Sequence, residues 1–113
     1  MRGSRTDLLQ GTLDLIILQL LSGGATNGWD LTLRIQATSK DVLSVNAGSL
    51  YPALYRLEAK GLIKAAWKTT SKNRRAKFYS LTVAGRRQLT AERSTWERFS
   101  GALGAILNTN GNS

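Results

Sequence analysis

The chain of 113 residues carries 16 lysines and arginines against 7 aspartates and glutamates and no histidine, which gives a formal net charge of +9. Its hydrophobic content of 42% is typical of a small globular domain and excludes a disordered chain. Because cysteine and histidine are both absent, disulfide bonds and thiolate chemistry are excluded, and no metal site or cofactor is expected.

The amino-terminal residues, MRGSRTD, lack the hydrophobic core of a signal peptide, and no apolar run in the chain reaches membrane-spanning length. The expected location is therefore the cytoplasm, without membrane association. Residues 7–22 predict a first helix, with Asp7 as its N-cap and Gly23 and Gly24 ending it. Its apolar positions extend beyond one face, which predicts that other elements cover it on more than one side.

A second helix is predicted after Asn27, which can cap it, and its end is expected near residues 38–40. Its inward-facing side chains are expected to be Trp29, Leu31 and Ile35. Residues 41–45, DVLSV, are short, apolar and partly β-branched. This segment predicts either a small strand or an extended linker.

A third helix is predicted over residues 47–60, capped by Asn46 or Ser49 and closed by Gly61. Pro52 is tolerated in a first turn, where its missing N–H is not needed, so it favours a helix start near Gly48. Leucines at the spacing of one helical face mark the buried side. These leucines are Leu50, Leu54 and Leu57.

Two strands are predicted over residues 62–69 and 76–82, joined by the basic link TSKNRR, which is typical of an exposed hairpin loop. Tyr79 and Leu81 are expected to face the core, with Phe78 on the opposite side. The first strand has two alternating sets of residues, Ile63, Ala65 and Trp67 against Lys64, Ala66 and Lys68.

A last helix is predicted over residues 82–108, followed by a disordered tail at residues 109–113. A helix of this length spans about 40 Å and overshoots a head of residues 1–81. Its apolar residues recur in steps of seven with a companion row, a short heptad pattern that predicts a dimer interface. The predicted interface residues are Leu89, Trp96 and Leu103, with Phe99 and Ile106 as the companion row.

The predicted order of elements is helix, helix, short strand, helix, strand, basic loop, strand and long helix. That order is typical of a mainly α (α+β) winged helix-turn-helix domain with an added C-terminal dimerisation helix. Between Glu58 and Glu92 the chain has nine basic residues and no acidic one. A block of one charge favours a polyanionic partner, and its place on a hairpin favours nucleic acid over a merely solubilising surface.

The third helix has the composition expected of an element that enters the major groove. Near its start, Gly48 and Ser49 permit close approach, and tyrosine hydroxyls can bond phosphate oxygens. Tyr51 and Tyr55 are therefore interpreted as facing DNA, while the alternative that either packs on a neighbouring element stays open. The cationic hairpin beside this helix is suited to backbone or minor-groove contact.

Three segments carry a resemblance to a known family: GSLYPALYRLEAKGLI at residues 48–63, Trp67, and NRRAKFYSLTVAGRRQL at residues 73–89. They resemble the PadR-like transcriptional regulators, over about residues 8–89. The resemblance implies a dimeric winged-helix repressor without enzymatic activity, with a single C-terminal helix in place of a larger dimerisation domain. By position it places Ser49, Tyr51 and Pro52 at the start of the recognition helix and Arg74, Arg75 and Lys77 on the wing.

The predicted DNA-binding residues are Asn46, Ser49, Tyr51, Pro52, Tyr55 and Arg56 around the third helix, and Lys72, Asn73, Arg74, Arg75 and Lys77 on the hairpin. The predicted function is a sequence-specific transcriptional regulator, a repressor that binds an inverted-repeat operator in double-stranded DNA as a homodimer. The alternative is a non-specific basic nucleic-acid-binding protein, either architectural or RNA-binding.

Two further questions are whether the protein binds a small effector and whether it is an enzyme. Two copies of Trp96 across a dimer can sandwich a flat apolar effector, although the simpler alternative, that Trp96 only packs the dimer, is preferred. An enzyme is not expected, because the acidic residues show no paired spacing for acid–base chemistry and no phosphate-binding glycine loop is present.

Overall fold

The computed structural model describes the backbone of residues 2–111 and the side chains of residues 11–109. This part of the chain forms helices around a small antiparallel sheet with the strand order β1-β3-β2. The elements are α1 (Arg2–Leu21), β1 (Thr26–Asn27), α2 (Gly28–Thr38), α3 (Ala47–Ala59), β2 (Ile63–Thr69), β3 (Arg75–Leu81) and α4 (Val83–Gly111). The mainly α winged-helix architecture predicted from the sequence is confirmed.

The first helix starts earlier than predicted. α1 begins at Arg2, so Asp7 lies within the helix and is not its N-cap. A capping residue permits a helix start but does not enforce one, and residues 2–6 contain no proline to stop the helix. The coverage of α1 on more than one side is confirmed, because α1 contacts α2, α3, α4 and β3.

The second helix has the predicted cap but not the predicted inward face. The side-chain oxygen of Asn27 accepts a hydrogen bond from the Asp30 N–H at 2.8 Å, which confirms the N-cap. Leu31 and Ile35 are buried, whereas Trp29 is 68% exposed. Trp29 stands two residues before Leu31, about 200° around the helix, so the prediction that it faces the core was wrong.

Residues 41–45 form no strand, so the linker alternative describes them better. Lys40 and Asp41 have φ values of 53° and 68°, and this left-handed pair ends α2 abruptly. The short strand lies instead at Thr26–Asn27, where Thr26 pairs with Tyr79 and Asn27 with Phe78. The remaining strand of the sheet, β1, therefore precedes α2.

The third helix, α3, begins at a position that leaves its proline in the second turn. Asn46 is the N-cap, since its side-chain oxygen accepts a hydrogen bond from the Ser49 N–H at 3.0 Å. Pro52 is consequently the sixth helical residue, and the predicted first-turn position was wrong. It has no N–H to donate to the Gly48 carbonyl one turn earlier. Gly61, at φ 74°, closes the helix as predicted.

The hairpin follows the predicted alternation on one face. Tyr79 and Leu81 are buried, and Phe78 lies on the opposite face, where the Lys68 ammonium is 5.5 Å from its ring centroid. The strand pairing runs from Ile63 opposite Leu81 to Thr69 opposite Arg75. The core that the hairpin covers consists of Ile17, Leu18, Leu21, Leu31, Leu50, Ala53, Leu54, Leu57, Ile63, Tyr79, Leu81 and Leu89.

The last helix begins as predicted but is longer. The Thr82 hydroxyl accepts a hydrogen bond from the Gly85 N–H at 3.0 Å, which caps α4 at its predicted start. The helix continues to Gly111, so the predicted tail is helical over residues 109–111, and residues 112–113 lie outside the described part. The long dimension of the molecule, 61 Å against 29 and 28 Å, reflects this projecting helix.

One predicted dimer-interface residue belongs to the core of its own subunit. Leu89 is only 8% exposed and packs in the hydrophobic core, because the first turns of α4 lie on α1 and β3. The prediction for Leu89 was therefore wrong. The other four predicted positions, Trp96, Phe99, Leu103 and Ile106, are exposed. None of the helices that the structure describes is long and apolar enough to cross a membrane.

Candidate nucleic-acid interface

The outward face of α3 exposes four of its predicted DNA-binding residues. Tyr55 is 75% exposed and Tyr51 47% exposed, and Ser49 and Pro52 are also at the surface. The buried leucines on the opposite face fix the helix against the core, so this outward face is held in place. Asn46 is exposed as well, but its side-chain oxygen is occupied by the helix cap.

Tyr51 packs on a neighbouring element while remaining half exposed. Its ring and hydroxyl lie over Gly28 at the start of α2, where a Cβ atom would stand 2.6 Å from the hydroxyl oxygen. Only glycine leaves room for the tyrosine at this position. Both interpretations of Tyr51 are therefore correct in part. One side of the ring packs on α2, and the other side is open to solvent.

Arg56 is engaged inside the subunit. Its guanidinium donates a hydrogen bond to the Asp14 carboxylate of α1 at 2.7 Å, and both side chains are partly buried. Burial raises the pKa of Asp14 above its ordinary value, while Arg56 and Lys60 act in the opposite direction. The structure thus contradicts Arg56 as a free DNA contact, because its charge is used to hold α3 against α1.

The hairpin tip presents its cations to solvent. Lys72, Asn73 and Arg74 are exposed in the turn between β2 and β3, and Asn73 takes the left-handed conformation, with φ 59°. No carboxylate among the described side chains pairs with Lys72, Arg74 or Arg75. Their charge is therefore left for an external anion.

Lys77 differs from the cations at the tip. Its ammonium lies 3.8 Å from the Glu58 carboxylate near the end of α3 and 5.8 Å from the ring centroid of Tyr79. Lys77 is only partly exposed. The position suits a residue that joins the base of the hairpin to α3 and contributes less directly to an external contact.

Two exposed tryptophans, Trp29 and Trp67, were not among the predicted DNA-binding residues. Trp67 of β2 is 58% exposed, and the Arg75 guanidinium lies 5.5 Å from its ring centroid. Trp29 is exposed at the start of α2, close to the glycine under Tyr51. A helical wheel would have placed Trp29 outside the core. For Trp67 the alternation along β2 gave no warning of its exposure, because alternation alone does not reveal where the core ends.

Comparison with known proteins assigns the family. Residues 17–91, well over half of the chain, match the sequence profile of the transcriptional regulator PadR-like family. This chain belongs to the PadR-like family. PadR-family proteins are transcriptional regulators rather than enzymes, they bind DNA, and they typically form dimers.

Individual relatives agree with this assignment. The transcriptional regulator Rv3488 of Mycobacterium tuberculosis is 34% identical over 96 residues, which are 84% of this chain and 89% of that protein. A transcriptional regulator structure from Clostridium thermocellum has a TM-score of 0.79 at 28% identity, covering 87% of this chain and 95% of that one. A PadR-like transcriptional regulator from Bacillus cereus has a TM-score of 0.78 at 28% identity, covering 89% and 96%.

In this PadR-family chain, Trp96 lies between two open grooves along α1 and α4. The first groove, of about 440 Å³, includes Leu15, Trp96 and Phe99. The second, of about 390 Å³, includes Leu15 and Trp96 together with Ile35. The Trp96 and Phe99 ring centroids are 5.9 Å apart, and the two rings are tilted by 37°. Trp96 is thus an exposed aromatic ring with apolar space on both sides.

The described residues offer no place for a metal ion, since they contain no group of three or more potential acidic, histidine or cysteine ligands. Exposed hydroxyls on α3 and unpaired cations on the hairpin can donate hydrogen bonds and neutralise phosphate charge on a duplex.

Proposed function

We propose that this PadR-family regulator is a repressor that binds an inverted-repeat operator as a homodimer. The observation that carries the proposal is the exposed apolar row on α4, which continues beyond the head along the free part of the helix. The row consists of Trp96, Phe99, Leu103, Ile106 and Leu107. A row of this kind is stable in water when a second copy of the helix covers it.

A two-fold dimer would present two copies of α3 and two hairpins to one side of a duplex. Recognition helices in such dimers enter successive major grooves about 34 Å apart. The exposed tyrosines of α3 and the unpaired cations of the hairpin support this arrangement, since the former can reach base edges or phosphates and the latter the backbone.

Half-site spacing tests the proposal. DNA retained by the purified protein from a fragment pool would supply the operator, and band shifts would then compare it with variants whose half-sites are moved by half a turn. Tight binding is expected to be lost when the half-sites face opposite sides of the duplex. Indifference to spacing would contradict a symmetric dimer.

The runner-up is a non-specific nucleic-acid-binding protein, and charge alone supports it equally. The two proposals differ in the ratio of operator affinity to random-DNA affinity at one stated salt concentration. A specific regulator is expected to reach a ratio of about 10³ or more. Repression itself is tested by in vitro transcription from a promoter that overlaps the operator, where added protein should lower the transcript. Such a regulator would act in the cytoplasm, where we expect its DNA target.

A second candidate function is the binding of a flat apolar effector at Trp96. The two grooves beside this ring support it, although a partner helix filling the same space would explain them equally and remains the preferred interpretation. A variant with Trp29→Phe and Trp67→Phe makes Trp96 the sole tryptophan. Its fluorescence should be quenched by planar aromatic compounds if a pocket persists in the dimer, and unchanged if Trp96 only packs the interface.

A further inference from the structure

Trp67 is unusual among the residues of its strand face. Ile63 is buried and Ala65 is partly exposed, so this face of β2 covers the core only near the base of the hairpin. Trp67 lies further out, and 58% of it is exposed. Exposure alone does not give Trp67 a role, so any role depends on the contact that its ring makes on the hairpin.

Arg75 is the neighbour that Trp67 contacts across the sheet. Trp67 pairs directly with Lys77, and Arg75 stands two residues nearer the turn on the same face of β3. The Arg75 guanidinium lies 5.5 Å from the Trp67 ring centroid, within the range of a cation–π interaction. A long arginine side chain stacked on a ring loses much of its rotational freedom before any ligand arrives.

The face that carries this pair is the one turned towards α3. Lys77, on the same face, is 3.8 Å from Glu58 of α3, and Tyr79, the next residue on that face, is buried. The opposite face carries the Lys68–Phe78 pair. The stacked guanidinium is therefore on the recognition-helix side of the hairpin.

We propose that Trp67 is a positioning residue for DNA binding, which holds the Arg75 guanidinium on the α3 side of the wing so that it meets the duplex beside the groove that α3 enters. The inference rests on the proposed DNA-binding mode and adds that the cations of the wing differ in how they are held before DNA binds. Arg75 is pre-ordered by the ring, whereas Lys72 and Arg74 are held by no aromatic ring or carboxylate among the described side chains. Pre-ordering lowers the entropy lost when the contact forms.

A double-mutant cycle on duplex affinity tests the proposal. Trp67→Ala should weaken binding about twofold to fivefold, the factor expected from an exposed cation–π pair, and Arg75→Ala about tenfold. Because Trp67 acts through Arg75, the double variant should bind within about twofold of Arg75→Ala alone. Single-variant losses that multiply in the double variant would overturn the proposal.

Two further variants separate positioning from hairpin stability. Trp67→Phe keeps an aromatic ring and should retain near wild-type affinity, whereas Trp67→Leu keeps apolar bulk without a π face and should bind like Trp67→Ala. Equal affinities for the Phe and Leu variants would refute stacking as the cause. The matched control is Lys68→Ala, which removes the cation of the pair on the opposite face and should leave the Trp67–Arg75 coupling unchanged.

Failure of this inference is distinguishable from failure of the proposed function. Wild-type protein that does not discriminate operator from random DNA would contradict the proposed function, and the cycle can still be measured on any duplex that it binds. Specific operator binding with uncoupled Trp67 and Arg75 effects would overturn only the positioning role.

Discussion

Arg56 of α3 and Asp14 of α1 form an ion pair with 2.7 Å between guanidinium nitrogen and carboxylate oxygen. The pair joins α3 to α1, which lines the grooves beside Trp96, since Leu15, the residue after Asp14, borders both grooves. Burial raises the pKa of Asp14 despite this partner, which means that desolvation outweighs the attraction. The pair therefore links α3 to α1, and it is weak evidence for a net gain in stability.

Removal of Arg56 should destabilise the protein in a pH-dependent way. Arg56→Met keeps most of the apolar stem but leaves the Asp14 carboxylate partly buried without its cation, which should cost about 1–2 kcal/mol at pH 7. The pKa of Asp14 then rises further, and a carboxyl with a raised folded-state pKa destabilises the fold fully above that pKa and progressively less as the pH falls from there to the unfolded-state value. The cost should therefore shrink as the pH falls towards 3.8.

Urea unfolding of wild type and Arg56→Met at pH 7 and about pH 4, at one protein concentration, measures this difference. The control measures Arg56→Met in an Asp14→Asn background, where neither protein has the Asp14 carboxylate to titrate, so the cost of Arg56→Met there should not depend on pH. A cost for Arg56→Met that is equal or larger at the lower pH would refute the account.

Gly85 in the first turn of α4 should not tolerate a methyl group. A Cβ atom there would overlap the Leu62 carbonyl oxygen and approach Leu81 Cδ1 to 2.9 Å. That carbonyl also accepts a hydrogen bond from the Thr82 N–H, so it cannot move away freely. Gly85→Ala should lower the free energy of unfolding by about 3 kcal/mol, the upper range for overpacking.

The matched control for Gly85 is Gly101, in the same helix but with open space around its added Cβ. Gly101→Ala should stabilise the protein by up to about 1 kcal/mol, because alanine has the higher helix propensity. Thermal unfolding of both variants would test the contrast. Equal effects of the same sign would show that the close contact at Gly85 does not determine the effect of the added methyl group on stability.

Local signals predicted the elements well, and long-range contacts account for what was missed. The caps at Asn27 and Asn46 and the buried leucines of α3 depend on residues within one or two turns, and each is found in the structure. Arg56 was misassigned because its partner Asp14 lies 42 residues away. Leu89 was misassigned because a heptad pattern does not show how far the head extends along α4.

The exposed row on α4 should determine the oligomeric state. Leu103→Glu places a charge within the row, and in a two-fold dimer it would face apolar side chains or a second glutamate of the partner. The variant is expected to be monomeric at concentrations at which wild type is dimeric, as sedimentation velocity would show. Ala105→Glu, on the opposite side of the helix, is the control and should leave the dimer intact. A monomeric wild type would refute the proposed interface.

Gly28 should control DNA affinity through Tyr51 with little effect on stability. In Gly28→Ala the new Cβ would occupy the place of the Tyr51 ring, whose atoms lie 2.6–2.9 Å from it. A half-exposed tyrosine can swing away cheaply, so the free energy of unfolding should change by less than about 1 kcal/mol. The hydroxyl would leave its position over the start of α2, and operator affinity should fall by about as much as in Tyr51→Ala.

The double variant Gly28→Ala with Tyr51→Ala decides whether the glycine acts through the tyrosine. Once the ring is absent, the added methyl group has nothing to displace, so the double variant should bind DNA as Tyr51→Ala does. Fluorescence anisotropy with labelled operator at one salt concentration gives the comparison. Independent losses from the two substitutions would mean that the start of α2 contacts the duplex itself, with Trp29 as the first residue to examine.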